Sequence, residues 1–180
     1  MNLPNKLTVF RVILVPVFLV LLYVSAIPEN NYLAAAIFII ASLTDMLDGK
    51  IARKYNLVTN FGKFMDPLAD KLLVCSALIA LADLDKIAGW IVIVIIAREF
   101  IISGFRLVAS DNGVVIAAGW WGKVKTAVTM VTIILVVLEL PYHGSHIVNT
   151  VLIYISLVLT IISLLDYIVH NYKIFLEGSI

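Results

Sequence analysis

Apolar residues run through roughly 7–26, 31–47, 67–82, 87–108, 124–140 and 147–170, and polar residues gather in the connections between these stretches. About 20 apolar residues cross a hydrocarbon core ~30 Å thick as an α-helix, so the pattern predicts six transmembrane helices. The expected fold class is all-α, a single polytopic membrane domain over residues 1–180. The first stretch has an alternative reading as a secretory signal, because Lys6 precedes an apolar run that reaches Ser25-Ala26. Arg11 interrupts that run where a signal is uninterrupted, and five more spans follow, so the segment is kept as the first helix, its amphipathic start lying along the interface.

Composition agrees. Hydrophobic residues make up 62% of the chain, charged residues 14%, and the mean hydropathy is +1.07, values that exclude an ordinary soluble domain. The net charge of +1 conceals a polarity. Lys6, Arg11, Lys50, Arg53, Lys54, Lys63, Arg98, Arg106, Lys123, Lys125 and Lys173 fall at one set of helix ends, with Lys71 a turn or two into the third helix; only Lys86 lies at the other. The opposite connections carry Glu29, Asp83, Asp85, Glu139, His143 and His146, so both termini are expected to be cytoplasmic. His143 and His146 read as a solvated loop, and Asp166 with His170 as a local i,i+4 pair. Cys75 has no second cysteine to pair with and reads as a small core hydrophobe. Trp120 and Trp121 read as interfacial anchors.

Against this background one stretch is unusual, because four of the twelve acidic residues lie between 45 and 70. Asp45 and Asp48 are related by i,i+3 on a helix, with Gly49, Ala52 and Arg53 further along the same side. After a short polar connection, Gly62, Asp66 and Asp70 follow at i,i+4 intervals. Pro67 leaves two arrangements open: Asp66 caps a helix that Pro67 begins, or the helix starts near Gly62 and is kinked at Pro67. In either case Asp66 and Asp70 share a side. Carboxylates facing one small volume repel one another unless cations neutralise them, and oxygen ligands without Cys or His suit hard divalent ions rather than structural zinc. Two such ions ~3.5–4 Å apart are the arrangement that polarises a phosphoryl group and stabilises a phosphate leaving group. A cation permeation path would also need acids, but it would spread them across the membrane, whereas these cluster near one side beside Arg53.

The run Asp45-Met-Leu-Asp48-Gly49-Lys-Ile-Ala52-Arg53, eight residues, then Gly62-Lys-Phe-Met-Asp66-Pro-Leu-Ala-Asp70 resembles the signature of the CDP-alcohol phosphotransferases at every defining position. The resemblance implies a membrane enzyme that transfers a phosphatidyl or similar group from a CDP-linked donor to an alcohol and releases CMP. It implies that Asp45, Asp48, Asp66 and Asp70 hold two Mg²⁺ or Mn²⁺ ions, that Asp70 is also the general base, and that Gly49, Ala52, Arg53 and Gly62 contact the donor. The same resemblance implies a homodimer, while the charge asymmetry puts the active site at the cytoplasmic face of the cell membrane, and no nucleic-acid partner is expected.

The acceptor is read from the other cations. Arg98 and Arg106 lie eight residues apart on the fourth helix, Lys123 and Lys125 open the fifth, and together they suit a phosphate monoester. Adjacent helix residues point apart, so Glu99 is not expected to be the partner of Arg98. The segments 96–106 and 122–126, and the start 3–11 with Asn5 and Thr8 facing the donor nucleotide, are similar to the bacterial family members that use glycerol 3-phosphate. The resemblance thus implies transfer from CDP-diacylglycerol to glycerol 3-phosphate, with inositol phosphate or serine as alternative acceptors. The last two helices read as generic apolar sequence.

Overall fold

The computed structural model describes residues 2–54, 60–111, 116, 119–141 and 143–171; the side chains at 3–4, 45–54, 60–64, 66–67 and 111 lie outside the description. Six helices make up the described residues: α1 Leu3–Tyr23, α2 Asn30–Lys54, α3 Asn60–Asp83, α4 Gly89–Asp111, α5 Trp120–Leu138 and α6 Ser145–His170. The all-helical expectation holds. The chain divides into two compact units, one of residues 1–86 and 133–140, the other of 87–132 and 141–180.

In the first unit α1 packs on both α2 and α3, and α2 also meets α3. Asn2 caps α1 by accepting a hydrogen bond from the Asn5 backbone N–H at 3.2 Å, and a proline in the first turn suits a position where an N–H would have no helical partner. The buried positions of α1 are Asn5, Thr8, Arg11, Leu14, Val15, Phe18 and Leu22, at helical spacing, whereas Phe10, Ile13, Val17 and Val20 are exposed. Polar groups inside and apolar groups outside are the reverse of a water-soluble helix and suit lipid surroundings. Ala34, Ala35 and Ala41 keep the buried face of α2 shallow, which favours close helix approach, and Phe38 meets Phe18 at 5.7 Å between ring centroids.

The α1–α2 connection is short, so these neighbours run antiparallel, and α3 turns back again. The N-terminus of α1, the C-terminus of α2 and the N-terminus of α3 therefore share one end of the unit. The other end is tied by Tyr23 Oη donating to Asp83 Oδ2 at 2.9 Å, by Asn31 Nδ2 donating to Glu139 Oε2 at 2.8 Å and by Lys86 Nζ at 3.1 Å from Glu139 Oε1. There α3 stops in a Schellman turn: Lys86 N–H bonds the Leu81 carbonyl, Asp85 N–H bonds the Ala82 carbonyl, and Asp85 takes φ 55°.

In the second unit α4 packs on α6. Ile153, Ser156, Leu157, Thr160, Ser163 and Tyr167 form the buried face of α6, and the Thr132 and Ser156 hydroxyls meet at 3.0 Å. Gly144 precedes α6 at φ 97°, a left-handed conformation that a side chain would strain. His146 lies in the first turn of α6 rather than in a loop, although it is exposed as expected. Cys75 is buried.

Among the described residues three helical segments are long and apolar enough to cross a bilayer: Asn5–Tyr23, Trp120–Leu138 and Ser145–His170. The apolar part of α2, Asn30–Thr44, is shorter. Charged residues occupy the remainder of α2, the first half of α3 and the middle of α4, which is where the candidate chemistry lies.

Candidate functional site

At the acidic end of the first unit, α2 continues unbroken to Lys54, so Asp45, Asp48, Gly49, Ala52 and Arg53 all belong to its final turns. α3 begins at Asn60 and contains Gly62, Asp66 and Asp70. The helix therefore starts well before Pro67 and runs through it, and Asp66 is not its N-cap. Helical backbone over both stretches gives the i,i+3 and i,i+4 carboxylate pairs their shared faces. The side chains of Asp45, Asp48, Ala52, Arg53 and Asp66, with Gly49 and Gly62, lie outside the described residues, and the expectations placed on them gain no geometry here. Asp70 is described and half-buried, between the buried core residues Ala69 and Leu73 of α3.

The start of α1 joins the same end. Asn5 is buried there and Thr8 and Arg11 are 0% exposed, three polar residues one turn apart. Asn5 and Thr8 were expected to face a donor; Arg11 was read only for its charge. Its complete burial marks a third polar position on this helix, because a cation is not held out of water without compensating contacts.

The second unit contains a cluster of cations. Arg98 is 8% exposed and Lys125 1% exposed, and both approach one oxygen of Glu99: Arg98 Nη1 at 2.9 Å and Lys125 Nζ at 2.7 Å from Oε1. This corrects the expectation that Glu99 would not serve Arg98. The Cβ vectors of adjacent helix residues do diverge, but a guanidinium sits far enough from its Cα to return to its neighbour's carboxylate. Arg98 Nε donates to Ser163 Oγ at 3.0 Å, and that hydroxyl donates to the Thr160 carbonyl at 3.0 Å, so α6 fixes the arginine. Gly122 makes room for it, since a Cβ there would stand 3.2 Å from Arg98 Nη2.

Arg106 lies further along α4, its guanidinium carbon 5.9 Å from the centroid of the Tyr167 ring. That distance is at the limit of a cation–π contact. Arg98 and Arg106 thus both turn to the α6 face that carries Ser163 and Tyr167. Lys123 does not join them: it is exposed, because two residues along a helix from buried Lys125 lies nearly the opposite face. Three of the four expected cations, Arg98, Arg106 and Lys125, therefore lie within or beside the packed core of the unit.

A cavity of about 420 Å³ in the same unit is lined by Gly119, Trp120, Trp121, Asp166, Tyr167 and His170, among others. Asp166 Oδ1 and His170 Nδ1 are 3.3 Å apart, the expected local pair. Trp120 and Trp121 are exposed, as interfacial anchors would be. Among the described residues no three His, Cys, Asp or Glu side chains gather as a metal site. His143 and His146 are both exposed.

Sequence reasoning missed Glu99, Ser163, Tyr167 and the burial of Arg11. Only Glu99 left a usable signal, being an acid placed among cations in an apolar helix.

Comparison with known proteins adds an independent observation. Residues 1–162 match the family model described as CDP-alcohol phosphatidyltransferase. The chain is 42% identical over 185 residues to the CDP-diacylglycerol–glycerol-3-phosphate 3-phosphatidyltransferase of Bacillus subtilis strain 168, covering 96% of each chain. It is 41% identical over 170 residues to a probable phosphatidylglycerophosphate synthase of Mycobacterium tuberculosis strain H37Rv, covering 93% of this chain and 80% of that one. A Rickettsia typhi protein with the same name as the Bacillus relative is 40% identical over 173 residues, with 92% and 94% covered.

Proposed function

This chain belongs to the CDP-alcohol phosphatidyltransferase family, and from that premise we propose that it transfers the phosphatidyl group of CDP-diacylglycerol to glycerol 3-phosphate, giving phosphatidylglycerol phosphate and CMP. The observation that carries this reading is the complete acidic signature, Asp45, Asp48, Asp66 and Asp70, on two consecutive helices of one compact unit in a chain similar to such enzymes over nearly its whole length.

The reaction needs a base, a charge clamp and a way to hold two anionic substrates. Asp70 takes the proton from the acceptor hydroxyl as that oxygen attacks the phosphorus bearing the diacylglycerol. The bond from this phosphorus to the CMP oxygen breaks, and CMP leaves with the electron pair. Arg53 offsets the pyrophosphate charge. Gly49, Ala52 and Gly62 let the donor approach backbone that larger side chains would cover, and Asn5 and Thr8 on α1 supply polar contacts to the nucleotide.

The donor set fits divalent metal: four carboxylates at i,i+3 and i,i+4 spacing on unbroken helices offer hard oxygen ligands. Asp45, Asp48, Asp66 and Asp70 would hold two Mg²⁺ or Mn²⁺ ions, which when bound polarise the phosphoryl group and stabilise the departing phosphate.

Arg98, Arg106 and Lys125 bind the phosphate of the acceptor, with Lys123 outside the cluster as an entry charge. Glu99 keeps two of these cations neutralised until the substrate arrives. The chain crosses the cell membrane six times with both termini and the acidic end cytoplasmic, a topology supported by the gathering of Lys and Arg at one set of helix ends. It acts as a homodimer, as the family resemblance implies.

Incorporation of radiolabelled glycerol 3-phosphate into chloroform-extractable lipid tests the acceptor assignment. The expected product is a lipid bearing two phosphates, formed only with CDP-diacylglycerol. Incorporation of labelled serine or inositol phosphate instead would replace the acceptor and leave the chemistry in place.

A further inference from the structure

Within the second unit, most polar atoms around the cations are accounted for: Arg98 by Glu99 and Ser163, Lys125 by Glu99. Two groups differ. Arg106 Nε and the Tyr167 hydroxyl are sealed from solvent, and neither has a hydrogen-bond partner among the described residues. Tyr167 is 7% exposed, so its hydroxyl is closed off from bulk solvent. Buried polar groups are paired in the great majority of cases, and each exception calls for an explanation. These two exceptions are neighbours, since the Arg106 guanidinium lies 5.9 Å from the Tyr167 ring centroid.

The Tyr167 oxygen can accept from the Arg106 guanidinium beside it, but the phenolic proton and the Arg106 Nε–H are both donors, and neither finds an acceptor among the described residues. The position of the phenol is fixed. Phe105 packs against it with ring centroids 5.7 Å apart and planes at 88°, and Ser163, one turn earlier on α6, holds Arg98. The helix face that orients one arginine of the cluster thus presents a donor beside the other.

We propose that the Tyr167 hydroxyl and the Arg106 Nε–H form a further donor pair for the phosphate of the acceptor, which makes Tyr167 a specificity-determining residue of the acceptor pocket. This rests on the function proposed above. A phosphate monoester brings several strong acceptor oxygens, and hydrogen bonds from a buried hydroxyl and a guanidinium to such an oxygen are charge-assisted. Both groups are closed off from solvent, so binding requires the long Arg106 side chain to move off the ring and admit the phosphate oxygen. An acceptor without phosphate leaves both donors unsatisfied, which is the asymmetry that gives a polar pocket its selectivity.

The substitution Tyr167→Phe removes the hydroxyl and keeps the ring that packs on Phe105. At saturating CDP-diacylglycerol, the KM of the purified full chain for glycerol 3-phosphate should rise roughly tenfold, with the KM for CDP-diacylglycerol unchanged. Inorganic phosphate should weaken as a competitive inhibitor by a similar factor. The thermal midpoint without ligand should stay level or rise, because an unsatisfied buried hydroxyl has gone. A merely structural hydroxyl predicts that midpoint but no change in acceptor kinetics, so an unaltered KM in Tyr167→Phe, with a raised KM in Arg106→Ala, would overturn the proposal and leave the function intact. If the wild type releases no CMP in response to glycerol 3-phosphate, the function itself fails. Thermal stabilisation by inorganic phosphate then decides: present in the wild type and reduced in Tyr167→Phe, it upholds the donor pair; equal in both or absent from both, it overturns it.

Discussion

Glu99 shows how far single residues can be read. Arg98, Arg106, Lys123 and Lys125 were expected from the sequence as one cation group because positive charge in apolar helices is conspicuous, although Lys123 is exposed and stands apart. The role of Glu99 depends on the reach of two long side chains to one oxygen, which spacing does not encode. Removing one member of a buried ion cluster leaves the others uncompensated, at a cost of about 3–5 kcal/mol. Glu99→Ala should therefore lower the thermal midpoint in detergent markedly, whereas Lys123→Ala, at an exposed position, should change it little. The general base is tested at the same scale. Asp70→Asn should cut turnover by roughly 10²–10⁴ while CDP-diacylglycerol still binds, as measured by equilibrium dialysis. Near-normal turnover would remove Asp70 from the proton transfer.

At the level of elements, all six helices were legible, with ends displaced by several residues where polar turns continue a helix beyond its apolar run. α2 extends to Lys54 and α3 begins at Asn60 because charged and small residues are good or tolerable helix formers, so apolar periodicity alone stops too early. α6 was misjudged as generic. Ser163 and Tyr167 are ordinary residues in an apolar helix, and nothing local marks them as partners of arginines some 60 positions earlier. The α5 start holds another such residue: Gly122 was read as the first residue of the family-like segment 122–126, but it makes room for Arg98. Arg98 is held by Glu99 and Ser163 and yields little, so Gly122→Ala should raise the glycerol 3-phosphate KM several-fold and Gly122→Leu considerably more. Equal effects on both substrates would argue against a specific link between Gly122 and the acceptor pocket.

For the whole molecule, the acidic signature and the charge asymmetry were legible because each is a pattern along the chain. Asn5, Thr8 and Arg11 needed the fold, since their burial arises from the packing of three helices rather than from their order. The proposed orientation has a direct consequence. Single cysteines placed in a Cys75→Ala background at Lys123 and at His143, both exposed, should react with an impermeant maleimide from opposite sides of the membrane, the first only from the cytoplasmic side. Labelling of both from one side would break the proposed topology.

The central claim is the reaction. CMP release by the detergent-purified protein from CDP-diacylglycerol and Mg²⁺ or Mn²⁺ should require glycerol 3-phosphate, cease on chelation of the metal, and remain negligible with serine or inositol phosphate. Release that ignores glycerol 3-phosphate, or no release with any acceptor, would contradict it.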